Sequence, residues 1–213
     1  METEFSSRAS ERAKIWRILD NPIVWQTSRI LLNVTFNLYR ARINLMKQLG
    51  LLADDPSVIE IGCGIGVYST ITRGPYLGVD VNPRYIEYAR RQYQRANQIF
   101  RCTDVRALLN EHAKFDLVLM VDFLHHIPDD VCAQLLETGS QLANKHVVSF
   151  EPITWQPNPV GRWIVEHDRG DHVRSLEKLH QLFEESPLTM TKSVELRLGP
   201  INTRAIIARP SKL

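Results

Sequence analysis

Three alternating glycines at the end of an apolar run are the residues of this chain whose spacing first points to chemistry. Gly62, Gly64 and Gly66 follow the run Val58-Ile59-Glu60-Ile61, and a second apolar run ends in Asp80. Because glycine lacks a Cβ and tolerates positive φ, the backbone can turn sharply there and a ligand can lie directly against it. An acidic residue at the tip of the next strand can accept hydrogen bonds from a ribose diol. The pattern predicts a nucleotide-type cofactor site at the end of a parallel strand.

The glycine spacing and a carboxylate within the strand discriminate between cofactors. The dinucleotide fingerprint needs a glycine at position 67, where this chain has Val67, and it places a diphosphate on a helix N-terminus. Here the third glycine comes one position earlier, at Gly66, and Glu60 lies near the end of the strand. A carboxylate at that point repels a diphosphate and suits a cation.

The pattern E-x-G-x-G-x-G from Glu60 to Gly66 resembles the first motif of the class I S-adenosylmethionine-dependent methyltransferases. Their cofactor carries a sulfonium and an ammonium group and no phosphate. The resemblance extends from about Val58 to Glu151. It implies that the chain binds S-adenosyl-L-methionine and releases S-adenosyl-L-homocysteine.

The resemblance also assigns cofactor contacts residue by residue. Asp80 matches the ribose-binding acid of the family, and Asp104 matches the acid that meets the adenine amino group. For Asp104, the alternative of an N-cap on the following helix stays open. The full set of predicted cofactor contacts is Glu60, Gly62, Cys63, Gly64, Tyr68, Asp80, Val81, Thr103, Asp104, Val105, Val121, Asp122 and Phe123.

Two adjacent histidines follow the predicted fourth strand, Phe115 to Asp122. The segment Leu124-His125-His126-Ile127 resembles one that is frequent in small-molecule methyltransferases. A histidine suits proton removal because its unperturbed pKa lies near neutrality, so His125 and His126 are the predicted catalytic residues. The alternative role is packing beneath the cofactor. No carboxylate constellation indicates a catalytic metal.

The segment after the predicted fifth strand, His146 to Phe150, is rich in proline and tryptophan and predicts a shaped loop on the substrate side of the sheet. Its predicted substrate contacts are Trp155, Trp163, Arg169 and His172, and His167 and His172 are weaker alternatives for the catalytic base. The alternative is a salt-bridged turn that joins Asp168 or Asp171 to Arg169 or Arg174.

Alternating strand and helix patterns predict an α/β fold with right-handed crossovers. We expect a single-domain, Rossmann-like methyltransferase fold with a mostly parallel seven-stranded sheet and helices on both faces. Leu188 to Leu198 and Asn202 to Ala208 would form an antiparallel C-terminal hairpin. Residues 1–50 are predicted to be an N-terminal helical extension or lid, and residues 51–213 the methyltransferase domain.

Helix boundaries follow from local capping signals. Asn82 and Pro83 start a helix to about Gln98, and Asp129 and Asp130 open another through Ala143. Ser175 is predicted to cap a helix near the C-terminus. In the crossover after the first strand, the glycine loop is expected to turn into a helix.

Composition and charge narrow the partners and the compartment. The 213 residues are 44% hydrophobic with a net charge of +2, so we expect no dedicated nucleic-acid surface, and the family resemblance implies a small-molecule acceptor. The pair in Arg40-Ala41-Arg42 is explained by a solvated helix face. Three cysteines without metal-ligand spacing and an acidic N-terminus predict a cytoplasmic protein. We expect the protein to be a monomer or a homodimer.

The apolar stretch Ile30 to Tyr39 is too short and polar to span a bilayer. With Ile43, Leu45 and Met46 it fits a long helix with one apolar face. We interpret this face as core packing, with a substrate lid or a weak membrane-surface contact as alternatives.

Taken together, the sequence predicts transfer of a methyl group to a small molecule, with oxygen favoured over carbon or nitrogen. The lack of an Asn-Pro-Pro-Tyr-like segment after Val121 argues against amino methylation of bases or amides. A non-methylating protein that binds the same cofactor is an alternative. A nicotinamide-dependent oxidoreductase is the third option.

Overall fold

The computed structural model of the protein describes residues 38–166 and 171–211, and these build one seven-stranded sheet. Its strand order is β3-β2-β1-β4-β5-β7-β6. Strands β1 to β5 are parallel, β7 is antiparallel to β5, and β6 is antiparallel to β7. The strands are β1 Val58–Ile61, β2 Tyr76–Asp80, β3 Gln98–Cys102, β4 Phe115–Val121, β5 Ala143–Pro152, β6 Leu188–Leu198 and β7 Ile201–Pro210.

Five α-helices and three 3₁₀ segments connect these strands in the described residues. The α-helices are α1 Leu38–Gln48, α2 Pro83–Tyr93, α3 Asp129–Leu142, α4 Pro159–Glu166 and α5 Leu176–Glu184. The 3₁₀ segments are Val67–Thr70, Val105–Glu111 and Leu124–His126.

Two apolar layers flank the sheet, which confirms the predicted α/β architecture with helices on both faces. On one face, α3 and α5 pack through side chains such as Leu136 and Phe183. On the other face, α1 and α2 pack through Met46 and Ile86. Because β1 and most of β4 lie between these layers, their residues are almost all buried, as expected for central parallel strands.

Helix starts follow the capping chemistry that the sequence predicts. The side chain of Asn82 accepts a hydrogen bond from the Arg84 backbone N–H at 3.0 Å, and Pro83 occupies the first helical position of α2. Ser175 accepts one from the Lys178 N–H at 3.2 Å and caps α5. Asp129 and Asp130 lie in the first turn of α3.

Several boundaries differ from the predicted ones. Helix α2 ends at Tyr93 instead of about Gln98, because Arg95 and Gln98 exchange backbone hydrogen bonds at 3.2 Å and close a tight turn. Strand β5 begins at Ala143, earlier than His146, and β7 extends beyond Asn202 to Ala208 at both ends. The described part of the predicted N-terminal helix is α1, while Ile30 and the rest of residues 1–37 lie outside the described residues.

The crossover from β1 to β2 differs most from expectation. Residues 62–75 contain only the 3₁₀ turn Val67–Thr70, where the glycine loop was expected to enter a helix. The β-branched pair Ile71-Thr72 and the stop at Gly74-Pro75 disfavour a longer helix. Helix α1 packs against this region through Tyr39 and Ile43.

Within the described residues, no helix combines the length and apolar character needed to cross a bilayer.

A methyl group added at Gly78 in β2 should disturb the support of the glycine loop. Its Cβ would lie 2.8 Å from Phe100 Cδ1 and 2.9 Å from Cys63 Sγ. We expect Gly78→Ala to lower the free energy of unfolding by about 1–3 kcal/mol, measured by chemical denaturation. Adding Phe100→Leu should recover part of that loss, since the smaller side chain makes room. Fully additive losses in the double variant would contradict this packing.

Candidate functional site

The carboxyl ends of the parallel strands carry a cavity of about 280 Å³ over the glycine loop, here called the glycine-loop cavity. Open α/β sheets bind ligands at this edge. Residues of the glycine loop, the ends of β2 and β4, and the following turns surround the space. Its lining is Glu60, Gly62, Cys63, Gly64, Ile65, Val67, Tyr68, Asp80, Asn82, Tyr85, Val121, Asp122, Phe123 and His126.

A second space of about 190 Å³, here called the Asp104 cavity, adjoins the first. The two share Gly62, Asp80 and Phe123 as lining residues. The Asp104 cavity adds Val81, Thr103, Asp104 and Val105 from the sequence prediction, and Ile61, Val79, Arg106, Ile127, Val131 and Leu135 beyond it. The structure therefore brings all thirteen predicted cofactor residues to one of two adjoining spaces.

The glycine loop leaves open space where a side chain would stand. Gly64 has φ +52°, and no atom lies within 4 Å of where its Cβ would be. Gly62, with φ +70°, is instead covered by the ring of Phe123, whose Cδ2 would lie 2.2 Å from an added Cβ. A ligand can thus lie against the backbone at Gly64, while Phe123 packs on the loop at the junction of the two cavities.

Two carboxylates give this space its negative character. Glu60 is 2% exposed and accepts a hydrogen bond from the hydroxyl of Tyr76. Burial, together with the charge of Glu60, raises the pKa of Tyr76 well above its usual value. That hydroxyl therefore stays a proton donor to Glu60.

Asp80 is held by the backbone at the junction of the cavities. Its Oδ2 accepts from the Gly64 N–H at 2.9 Å, and its Oδ1 accepts from the Asn82 N–H at 2.8 Å. Burial raises the pKa of Asp80, and the hydrogen bonds from Asn82 and Gly64 partly oppose that rise. Because a carboxylate oxygen accepts more than one hydrogen bond, both oxygens retain acceptor capacity for a ligand.

Asp104 has the capping role that the sequence left open. Its Oδ1 accepts from the Arg106 N–H at 2.9 Å at the start of the 3₁₀ segment Val105–Glu111. The Arg106 side chain also pairs with it and lowers the pKa of Asp104. Arg106 lines the same cavity as Asp104 and is not among the predicted site residues.

Arg42 corrects the interpretation of Arg40-Ala41-Arg42 as a solvated pair. Its side chain is 3% exposed and makes two hydrogen bonds of 2.7 Å with the carboxylate of Asp122. It also donates to the Tyr68 hydroxyl at 3.1 Å. Burial alone would lower the pKa of Arg42, but Asp122 and Tyr68 raise it overall. This ion pair fixes α1 against the loop after β4.

The two histidines have different environments. His126 is exposed and lines the glycine-loop cavity. His125 is buried, lines neither cavity, and its Nδ1 lies 2.6 Å from Glu151 Oε2. The structure thus distinguishes residues that the sequence could not: His126 can reach a bound ligand, and His125 contacts the protein interior.

Of the predicted substrate residues that the structure describes, none lines either cavity. Trp155 and Trp163 are 58% and 61% exposed on the segment after β5. The backbone N–H of His172 donates to the His125 carbonyl at 3.1 Å. Arg169 and His167 lie outside the described residues. The substrate assignment of these residues stays a prediction.

Arg174 makes a longer-range contact than the predicted salt-bridged turn, of which Asp168 and Arg169 lie outside the described residues. It is 7% exposed, and its Nε donates to Asp129 Oδ1 at 2.8 Å. Its two terminal nitrogens donate to the carbonyls of Leu124 and Ile127, both at 2.7 Å. The chain after α4 is thereby fixed to the loop that carries the histidines.

The described part of the chain adds no metal cluster to this site, and Cys63 is the cysteine that lines the glycine-loop cavity. No group of three or more histidine, cysteine or acidic side chains there is arranged to hold a metal ion. Burial raises the pKa of the Cys63 thiol well above its usual value. Cys63 therefore remains a neutral thiol and is no nucleophile.

Comparison with known families identifies the central part of the chain. Residues 58–146 match the family model described as a methyltransferase domain. A ubiquinone biosynthesis O-methyltransferase from Coxiella burnetii is 30% identical over 95 residues. That match covers 40% of this chain and 41% of the relative, so the chain spans less than half of the curated protein it matches.

Solved structures share the fold. Magnesium protoporphyrin IX methyltransferase from Synechocystis PCC 6803, with bound S-adenosylhomocysteine, aligns with a TM-score of 0.67 at 15% identity, covering 93% of this chain and 100% of that one. The N-methyltransferase NodS from Bradyrhizobium japonicum WM9 aligns with a TM-score of 0.62 at 18% identity, covering 81% and 96%. The fold is therefore that of the class I methyltransferases.

Loss of the Arg42 side chain should destabilise the protein strongly. Arg42→Ala leaves the carboxylate of Asp122 without its bidentate partner, and removing one member of a buried pair costs about 3–5 kcal/mol. We expect a decrease of this size in the free energy of unfolding from denaturant titration. The matched control is Arg40→Ala on the exposed side of the same helix, for which we expect a change within about 0.5 kcal/mol. Equal losses in the two variants would show that the pair does not fix α1.

Proposed function

We propose that this chain, whose residues 58–146 are a methyltransferase domain within a class I fold, is an S-adenosylmethionine-dependent methyltransferase acting on a small molecule. The observation that carries the proposal is the pair of cavities that meet at Asp80. One cavity lies over the glycine loop, the other lies beside Asp104, and the Asp80 carboxylate lies where they meet. This arrangement matches a ligand with an amino-acid part, a ribose and a base.

The residues present fit such a cofactor. The open backbone at Gly64 and the buried carboxylate of Glu60 would hold the cationic amino-acid part. Asp80 would accept from the ribose hydroxyls, and Asp104, Val81 and Thr103 would surround the base. The bound sulfonium supplies an electrophilic methyl group, so the protein has to align a nucleophile and exclude water.

The crossover after β1 argues for this cofactor over a dinucleotide. A diphosphate is bound at the N-terminus of an α-helix that follows the glycine loop. Here that loop leads into the four-residue 3₁₀ turn Val67–Thr70, and Glu60 adds negative charge beside it. The oxidoreductase alternative therefore lacks its main anchoring element.

Oxygen is the proposed acceptor atom. The O-methyltransferase of Coxiella burnetii that matches part of this chain supports it, and so does the exposed His126 at the cavity. In this proposal His126 accepts the proton of an acceptor hydroxyl as the oxygen is methylated. Methylation of carbon or nitrogen, and a non-methylating use of the same cofactor, are the competing functions.

We further propose that residues 1–50 form an extension to the catalytic domain of residues 51–213. The contacts of α1 with the loop after β4 support an extension that closes over the cofactor side. A cytoplasmic location remains our proposal from the cysteine usage.

Methyl transfer tests the proposed function directly. Incubation with the cofactor labelled in its methyl group and a metabolite extract should give a labelled product. A protein that binds S-adenosylhomocysteine and yields no labelled product with any acceptor would be a non-methylating binder. Tight binding of a nicotinamide cofactor without binding of the adenosyl cofactor would establish the oxidoreductase alternative.

The ribose assignment predicts a loss of affinity in Asp80→Ala. Loss of charge-assisted hydrogen bonds should weaken S-adenosylhomocysteine binding by about tenfold to hundredfold in calorimetry. The exposed Asp130 provides the control, because Asp130→Ala should bind as the wild type does. Unchanged affinity in Asp80→Ala would remove the ribose role.

The pH dependence of that affinity has a definite sign. Burial raises the pKa of Asp80, so its proton is bound more tightly in the folded chain than in the unfolded one. The protonated carboxyl therefore favours the folded state at low pH, and this contribution is lost as pH rises through the raised pKa. Because the ribose needs the ionised acceptor, affinity should fall on acidification already above the ordinary carboxyl range. Asp80→Ala should abolish this dependence in calorimetry across pH.

His126→Asn should slow methyl transfer without preventing cofactor binding. Removal of a general base lowers kcat by about 10²–10⁴-fold, and we expect kcat from product formation to fall within this range. His112→Asn is the matched control, since His112 is exposed on another loop with φ 52° and asparagine tolerates that conformation. An unchanged kcat in His126→Asn would assign proton removal to another group or to water.

A further inference from the structure

Glu151 is a buried carboxylate in β5 on which several donors converge. Its side chain is 2% exposed. Oε1 accepts from the backbone N–H groups of Phe123 at 3.1 Å and Leu124 at 2.9 Å, and Oε2 accepts from that of His125 at 3.3 Å. The Ser149 hydroxyl adds a longer bond of 3.4 Å. Three consecutive amides of the loop after β4 thus depend on one side chain.

The same carboxylate contacts the ring of His125. Nδ1 lies 2.6 Å from Oε2, and the ring is 3% exposed. An ionised carboxylate only accepts hydrogen bonds, so Nδ1 must carry a proton. A hydrogen bond at one ring nitrogen determines which tautomer a histidine adopts. Glu151 therefore selects the Nδ1–H tautomer of His125.

His125 in turn supports the histidine that lines the cavity. The ring centroids of His125 and His126 are 4.1 Å apart with the planes inclined by 41°. The backbone from Phe123 to His125, which Glu151 holds, leads directly into His126. The position of His126 at the glycine-loop cavity thus depends on Glu151 through the main chain and through the stacked ring.

We propose that Glu151 is a positioning residue for the acceptor side of this site. It fixes the tautomer of His125 and the loop that presents Phe123 and His126 to the glycine-loop cavity. The consequence for turnover rests on the proposed methyl transfer, whereas the consequence for the tautomer does not.

Glutamine distinguishes this role from simple packing. Glu151→Gln keeps the shape and one acceptor oxygen for the amides of Phe123 and Leu124. Its NH₂ group would face His125 and donate to Nδ1, which requires the opposite tautomer with hydrogen on Nε2. The backbone N–H of His125 would lose its acceptor in this variant. A carboxylate needed only to fill space would tolerate the replacement.

The experiment measures the tautomer and the turnover separately. Long-range ¹H–¹⁵N correlation spectra of the full chain, with His125 assigned by comparison with His125→Asn, should show Nδ1–H in the wild type and Nε2–H in Glu151→Gln. In the same variant kcat should fall by about 10- to 100-fold. The Kd for S-adenosylhomocysteine, from calorimetry, should stay within about twofold of the wild type, because the remaining side-chain oxygen still accepts from the backbone N–H of Phe123.

The control is Glu184→Gln on the exposed end of α5, which removes the same charge and should change neither tautomer nor kcat. An Nδ1–H tautomer that persists in Glu151→Gln, or a wild-type His125 with hydrogen on Nε2, would overturn the proposal. So would the expected tautomer change with an unaltered kcat. If the wild type transfers no methyl group to any acceptor, the proposed function fails, and the tautomer of His125 still decides whether Glu151 positions this loop.

Discussion

The loop from Asp122 to Ile127 is the constraint on which the site depends, because buried charged side chains satisfy its polar groups from three directions. Glu151 accepts from three of its amides, Arg174 donates to two of its carbonyls, and Arg42 pairs with Asp122. Buried polar groups must be paired, and an irregular loop has no ladder of its own to pair them. Charged partners make these bonds stronger than neutral ones would be. The fold thereby holds an irregular segment rigidly at the carboxyl edge of the sheet.

These three contacts also couple distant parts of the chain. Arg42 comes from α1, Glu151 from β5, and Arg174 from the segment before α5, so the loop is where the N-terminal and C-terminal parts of the described chain meet. Because the crossover after β1 contains only a short 3₁₀ turn, the packing of α1 against that turn matters more for its position. Tyr39 of α1 packs against the 3₁₀ turn at Tyr68, with ring centroids 5.0 Å apart. Helix α1 therefore supports the wall of the glycine-loop cavity indirectly, because it packs on Tyr68, which lines that cavity.

The sequence revealed the parts of the site that depend on local spacing. Glycines after β1 and acids after β2 and β3 stand at strand ends, and the carboxyl ends of parallel strands must share one edge, so their meeting follows from topology. Arg42 and Glu151 act over separations of 80 and 26–28 residues, and no local pattern specifies such pairs. The sequence nevertheless contains one signal that Arg42 is buried. Arg42 occupies the helical face shared by Tyr39 and Met46, where a charge inside an apolar stripe requires a buried partner.

The contrast between local spacing and long-range contacts explains why the proposed methyl-donor site is easier to recognise from the sequence than the acceptor site. The proposed donor site uses a glycine loop and acids at strand ends, and the fold that carries them aligns with a solved methyltransferase structure with a TM-score of 0.67 at only 15% identity. The segment after β5 is placed instead by individual long-range contacts, such as Arg174 with Asp129 and Gln156 with the Asn202 backbone at 2.6 Å. These contacts are made by side chains, whereas the parallel strands of the sheet are joined by backbone hydrogen bonds. Under the proposed function, we therefore expect acceptor specificity to depend on residues whose positions are set by tertiary contacts, and we expect the parallel sheet to position the donor site.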